Sequence, residues 1–365
     1  VALLLSSASL ATARATRLRV IANGSVLAGA AEAEILSNNH YAADRFVVSL
    51  ALDADPGNGP AFWASEIEVA MDIQASLDGG ANYASLIQGR VDSVEIDLIA
   101  RTARIFGRDM TAALIETRTQ ETFANRTSSE IAELLASRHG LSAAVTQTST
   151  PVGRYYQDEH DRITLDQFSR AVSEWDLLVF LARQEGFDIF VSGSTLYFQP
   201  AERSDSAITL GPTDLMDLRL ERSLTLAHDI EVTVKSWNSR QQNAFSQTAR
   251  AQSRGTLGGK PQRYVFVRPN LTSNQALQLA QQMLAELTRH ERVVVATMPG
   301  ELQMTPRNMI MLTGTGTAFD QTYFVDEIER SLRFEGGFVQ RIRAKNMSPQ
   351  SQATPPADVV ASVTN

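Results

Sequence analysis

With 365 residues, 43% of them hydrophobic and 20% charged, the chain has the composition of an ordinary globular protein and exceeds what one hydrophobic core usually supports, so two or three compact domains are expected. A formal charge of -8 argues against a protein whose work is gripping a phosphate backbone, because that affinity comes from clustered Lys and Arg. Cysteine is absent, which excludes disulfides, thiolate metal sites and a cysteine nucleophile and fits assembly in a reducing cytoplasm.

The first ten residues are apolar and small, and an Ala-Thr-Ala step follows at Ala11 to Ala13. That step resembles a signal-peptidase site, but the run is short and lacks a basic flank, so it reads as a hydrophobic arm that packs on its own domain or on a neighbouring subunit. No stretch approaches the ~20 apolar residues needed to span a bilayer, and no membrane insertion is expected. From residue 16 to 106 the pattern is that of strands, about six of them, in β-branched or alternating runs over 16–21, 45–52, 67–73, 85–90, 91–98 and 102–106. Asn23-Gly24, the stretch from Asp55 to Pro60 and Asp78-Gly79-Gly80 supply the turns between them.

Near Gly107 the periodicity changes. Thr127 and Glu130 form a capping box ahead of Ile131, Leu134 and Leu135, and Gly140 stops that helix. A second helical pattern opens at Thr164 with Gln167 in the capping position, and a third follows Ser173, where Trp175, Leu178, Val179 and Ala182 share a face until Gly186. A hairpin then turns at Ser192-Gly193-Ser194. The β signal returns at about Ile208. Strand-like runs cover 217–221 and 229–237, a polar stretch over 238–261 reads as a long loop, and an amphipathic helix over about 273–290 points Leu277, Ala280, Met283, Leu284 and Leu287 inward. Further strands are expected at 292–298, 308–312, 323–332 and 338–344. The fold class is therefore α+β, mainly β. Its expected parts are an arm over 1–15, a β unit over 16–106, an α+β insertion over 107–205, and a second β unit over 206–345 interrupted at about 238–291. The Ser, Pro, Ala, Thr and Gln of 346–365 have the composition of a disordered tail.

Chemistry-bearing patterns are weak. His139 and His290 end helices, where a cation is favoured by the helix dipole, so capping explains them better than catalysis. Asp158-Glu159-His160-Asp161 has metal-ligand residue types, but adjacent residues converge poorly on one ion and the pattern reads as a solvated loop. Gly314-Thr315-Gly316 lacks a third glycine and a following helix, so it reads as a hairpin turn and not as a phosphate cradle. No catalytic residue, cofactor or metal ligand is expected. Trp63 and Trp175 read as core anchors. Trp237, at the end of a strand before the polar stretch, is the candidate interface residue.

Three segments, in this order and spacing, carry a resemblance. Residues 107–115 (Gly-Arg-Asp-Met-Thr-Ala-Ala-Leu-Ile) run on to Phe123-Ala124-Asn125-Arg126 and Thr127 to Ala132, and this junction resembles the one after the first barrel in the phage late-control protein D family. Residues 173–187, from Ser173-Glu174-Trp175 to Glu185-Gly186-Phe187, are similar to the helix-then-strand signature shared with the valine-glycine repeat spike proteins of type VI secretion. Met298-Pro299-Gly300, Thr305-Pro306 and 312–320, followed by Tyr323 to Asp326, look like the closing strands of a second barrel. The resemblance spans roughly residues 17–345.

It implies two tail-tube-like β-barrels per chain with an α+β domain between them and an insertion in the second barrel. It implies a baseplate hub: a homotrimer whose six barrels form a ring, matching a sixfold tail tube or distal tail protein on one side and a trimeric spike or central fibre protein on the other. DNA would pass through the lumen without specific binding, and an acidic lumen would keep it from gripping. Such a hub would be assembled in the host cytoplasm and reside in the virion tail baseplate. The chain carries no spike, lysozyme or peptidase segment, so the spike is expected as a separate polypeptide. The same architecture serves a contractile injection system, a tailocin or a gene-transfer particle. A tail-associated enzyme and a carbohydrate-binding adhesin are the rival classes.

Overall fold

A computed structural model of the chain describes residues 14–119, 121, 123, 126–149, 151–152, 172–200, 207–224, 230–238, 243–251, 262–268, 271–288, 291–333 and 337–346. The N-terminal apolar run, the helical pattern at Thr164, the Asp158 to Asp161 cluster, His290 and the tail beyond residue 346 lie outside the described residues.

The first β unit contains β1 (Arg17–Ala22), β2 (Ser25–Val26), β3 (Ala30–Asn38), β4 (Arg45–Ala51), β5 (Ala70–Ser76), β6 (Ala84–Asp97) and β7 (Thr102–Asp109). Alternation sends one face of each strand inward, where Val20, Ile35, Phe46, Val48, Ile73 and Ile105 share a core. The Asn-Gly pair works as its composition suggests: Asn23 and Gly24 both take positive φ, 47° and 81°, and β1 turns directly into β2. Two expectations need correction here. The connection after β4 is not only a turn, because α1 (Pro60–Ser65) carries Trp63 into the core. Ile67, expected inside a strand, is fully exposed. Its strand begins at Ala70, where partners exist on both sides, Ala22 and Arg90 lying at the ends of those ladders.

The α+β part contains α2 (Thr111–Glu116), β8 (Arg118–Thr119), β9 (Arg126–Thr127), α3 (Ser128–Arg138), β10 (Ser142–Val145), β11 (Pro151–Val152), β12 (Val172–Ser173), α4 (Glu174–Glu185), β13 (Phe187–Ser192) and β14 (Thr195–Pro200). Both main helices start in capping boxes. Thr127 Oγ1 accepts from Glu130 N at 3.3 Å while Thr127 N donates to Glu130 at 2.8 Å, and Ser173 with Asp176 repeats the arrangement. Each cap is worth about 1 kcal/mol. Gly186, at φ 70°, ends α4. Ile131, Leu135, Trp175, Leu178, Leu181 and Phe198 make a separate core.

The remaining elements are β15 (Ile208–Leu210), β16 (Asp217–Arg222), β17 (Ile230–Asn238), β18 (Asn243–Ala251), β19 (Gln262–Val267), α5 (Ser273–Thr288), β20 (Arg292–Pro299), β21 (Met309–Leu312), β22 (Thr322–Arg333) and β23 (Gly337–Asn346). The polar stretch expected as a loop contains β18, paired along its whole length with β17. Its inner positions include buried Gln247 and Ala249, so the strand lacks the large apolar residues that would have marked it. The strand β17, assigned from the sequence to the second β unit, also departs from expectation. Among the described residues it pairs only with β18 and β19, and this three-stranded sheet packs on α5 through Val232, Val234, Ala276, Ala280 and Leu284. Leu277 is not on that stripe, whereas Ala276 and Leu279 are.

The two β units meet in one sheet. Its order is β16-β20-β23-β22-β3-β4-β7-β6-β5-β1-β2, with β21 on β22 and β15 on β21. The joint is β22 against β3, antiparallel from Glu327 opposite Asn38 to Arg333 opposite Glu32. A small core of Ala75, Leu332 and Phe338 lies between the units, and Arg14 Nη1 donates to Gly300 O at 2.8 Å, tying the beginning of the first unit to the second. Among the described residues no helix is long and apolar enough to cross a membrane.

Candidate functional site

Two features of this sheet are candidates for function: the solvated face that crosses the joint, and the buried charges beneath it. On β22 the residues Glu327, Glu329, Ser331 and Arg333 face away from the core, while Ile328, Arg330 and Leu332 face into it. The outward set is laid in register against Arg343 and Arg341 of β23 and against Glu34 and Glu32 of β3. Arg333 pairs with Glu32 and, at 2.5 Å, with Glu34. The face runs on through Arg45 and Ser49 of β4 to Arg104 and Arg108 of β7. Arg108 is held by Asp92 at 2.6 Å and by Glu116, and these carboxylates, Asp92 foremost, keep its guanidinium above the usual value. The face therefore mixes Arg with Glu and Asp, and it is not the acidic surface that the net charge suggests.

Beneath the joint, the β3–β4 connection, residues 39–44, reaches all three parts of the chain. Asn39 N donates to Asp326 O at 2.9 Å, and His40 Nε2 lies 3.1 Å from the Asp326 carboxylate, which Lys345 Nζ also meets at 2.8 Å. Trp175 Nε1 donates to Tyr41 O at 2.7 Å, which clamps α4 to this loop. Tyr41 takes φ 58°, a strained backbone position for a bulky residue. Asp44 accepts from Asn38 N at 2.9 Å, and Asp44 O accepts from Asp109 N at 3.0 Å. Burial pushes the Asp44 carboxyl up to about 6. Burial first, and the Asp44 charge second, push Asp109 up to about 7, against hydrogen bonds from Thr111.

The cations of this junction are Arg330 and Arg307. Arg330 is 4% exposed, donates to the Met304 carbonyl, and is pushed down to about 10 by burial. Its Nε has no hydrogen-bond partner among the described residues. Arg307 Nε lies 3.1 Å from Asp188 of β13, and its guanidinium stacks 3.7 Å over the Phe190 ring. Asp44, Asp188, Arg307 and Arg330 line a cavity of about 340 Å³ between the three parts. Arg307 pairs with Asp188 across parts, and the Asp44 carboxyl feels the charges of Arg307 and Arg330, an arrangement suited to structural clamping. Sequence reading missed this junction, because Asp44, Asp188, Arg307 and Arg330 are separated by more than a hundred residues in two of the three intervals. In the structure Tyr41 at positive φ marks this connection, but nothing local in the sequence announces the junction.

The residues singled out from the sequence are dispersed. Trp63 and Trp175 are buried in two different cores. Trp237 is 48% exposed at the end of β17, opposite Ala244. His139 follows α3 and does more than cap it: Nε2 lies 2.6 Å from Glu174, a carboxylate only 3% exposed, which Arg138 also approaches at 3.5 Å. Gly314 and Gly316 take positive φ in a turn closed by Asp320, whose carboxylate accepts from Thr315 and Gly316. Among the described residues no three His, Asp or Glu side chains are grouped to hold a metal ion.

Solved structures similar to this fold include tail proteins. The tail protein from Neisseria meningitidis MC58 superposes with a TM-score of 0.69 at 14% identity, covering 92% of this chain and 98% of that one. The 43 kDa tail protein of prophage MuSo2 from Shewanella oneidensis gives 0.68 at 17% identity, covering 93% and 100%. The E. coli c3393 protein, a component of the type VI secretion system with structural similarity to T4 bacteriophage tail proteins gp27 and gp5, gives 0.53 at 12%, covering 93% and 79%. At these identities the likeness is one of fold. No curated protein matches the sequence. The model of one family does match, over residues 86–333, and the chain belongs to that family, the Alg8 N-terminal domain.

Proposed function

We propose that the chain is a structural baseplate hub of a phage or phage-like tail, of the late-control protein D kind, working as a homotrimer and not as an enzyme. The observation that carries this reading is the joining of two β units into one sheet through β22 and β3, in a fold shared along nearly the whole chain with tail proteins. Each chain then contributes two tube-like units to a ring of six, which fits a sixfold tube on one side and a threefold spike or fibre on the other. The surfaces available for contacts between copies are the end strand β16, beside exposed Met216 and Leu224, and the β6–β7 hairpin tip with exposed Leu98 and Ile99. A head-to-tail contact repeated by rotation closes such a ring.

In this reading the mixed Arg–Glu face lines the channel. Arg333, Arg108, Arg341 and Arg343 each have a carboxylate neighbour there, so a passing DNA backbone finds little surplus positive charge to hold it. The likeness to a type VI secretion component supports a second setting for the same hub, a contractile injection system. Light scattering of the purified chain and electron microscopy of the particle test the proposal. Three copies around the tail axis at the tube's distal end are expected. A monomer in solution that is found at the capsid or at the fibre tips ends it.

A further inference from the structure

The insertion of β17–β19 and α5 has an unused edge. Its sheet buries one face on α5, and among the described residues nothing covers the other, where Trp237, Val265 and Val267 are 48%, 54% and 47% exposed. The order is β18-β17-β19, so among the described residues β18 and β19 are both edge strands. They differ in character. The outward residues of β18 are Ala244, Ser246, Thr248 and Arg250, small or polar. The other edge reads Arg263-Tyr264-Val265-Phe266-Val267 and is β-branched or aromatic on both faces, with Tyr264 and Phe266 half-buried over the helix. Natural sheets blunt such edges with proline, bulges or inward charges, and β19 has none of these.

Charge around this edge is one-sided. Glu231 is buried between Arg250 at 3.1 Å and Arg263 at 3.5 Å, so one carboxylate serves two guanidinium groups. Lys235 stands exposed in register with Val267, and Arg268 follows it. Neither makes an ion pair among the described residues. In a chain whose net charge is -8, this is a local cationic surplus beside an open strand.

We propose that the outer edge of β19 accepts an extended segment of another protein as an added strand, one that alternates apolar residues with acidic ones. Main-chain hydrogen bonds supply the attachment and the alternate side chains supply selectivity. The apolar set covers Tyr264 and Phe266 on the helix side. The acidic set meets Arg263 and Lys235 on the outer side, with its methylenes against Val265 and Val267, and Arg268 stands at the end of the strand. This edge is separate from the surfaces used by the ring, so the proposal stands or falls independently of it.

The test uses the full chain and two labelled ten-residue peptides, one alternating valine with glutamate and the other valine with lysine. Fluorescence anisotropy is expected to show at least tenfold tighter binding of the glutamate peptide, with new hydrogen-exchange protection confined to β19. Val265→Lys is expected to weaken that binding at least tenfold, and Lys235→Glu to lower the preference for the glutamate peptide, while both variants keep the parent melting temperature. Absent or equal binding of the two peptides, protection elsewhere, or β19 amides already protected in the free chain overturns the proposal. Self-association abolished by Val265→Lys overturns it too, because the occupant is then a second copy.

Discussion

Replacing Asp109 by asparagine is expected to stabilise the folded chain at pH 8 and to leave it nearly unchanged at pH 5. The carboxyl is buried, and burial together with the neighbouring Asp44 raises it from 3.8 to about 7. A folded value above the unfolded one means that the folded state holds more protons between about pH 4 and 7, so stability falls as pH rises through that window. A rise from 3.8 to about 7 corresponds to about 4 kcal/mol at most. Asp44, raised to about 6 by burial, opposes the same ionisation, so part of that penalty is common to both groups, and about 2 kcal/mol is expected for Asp109 alone. Asparagine keeps the bond from Thr111 N, and the Thr111 hydroxyl, which now donates to Asp109 at 3.0 Å, can turn to accept from the amide.

For a chain of this size that gain is roughly 4 °C in melting temperature. Thermal unfolding of both proteins at pH 5, 6, 7 and 8 measures it. The exposed Asp53, Asp78 and Asp320 carboxylates, all lowered by hydrogen bonds, titrate below the window and are common to both proteins, so the difference isolates the junction. A difference that does not grow with pH, or a less stable asparagine protein at pH 8, refutes the reasoning.

Gly107→Ala is expected to cost more than about 3 kcal/mol, because an added Cβ would stand 2.2 Å from Phe46 Cζ and 2.3 Å from the Arg90 carbonyl; a melting temperature like the parent's would refute the close approach of β7 to β4 and β6. Trp175→Phe removes the donor to Tyr41 O and leaves that carbonyl without it, an expected loss of about 1–3 kcal/mol read by chemical denaturation, with no loss counting against the clamp. Arg333→Ala, on the solvated face, is expected to leave the melting temperature unchanged at physiological salt, since exposed ion pairs are screened. A large drop would mean that this face is not exposed in the purified protein.

Local signals in the sequence determined most elements and their class. The capping boxes at Thr127 and Ser173, the stop at Gly186, the Asn23-Gly24 turn and the alternating runs of β3, β4, β22 and β23 all act within a few residues, and such short-range terms are legible in order along the chain. They place an α+β part between two β units. Where a strand pairs is a different matter. β18 escaped because its buried positions hold Gln247 and Ala249, and β17 was given to the wrong sheet because alternation states only that one face is buried, not against what. The joining of β22 to β3 and the junction of Asp44, Asp109, Arg307 and Arg330 depend on residues brought together across up to about three hundred positions. Hydrogen-bond register and the pairing of buried charges are settled when those distant segments pack, so only the tertiary structure could decide them.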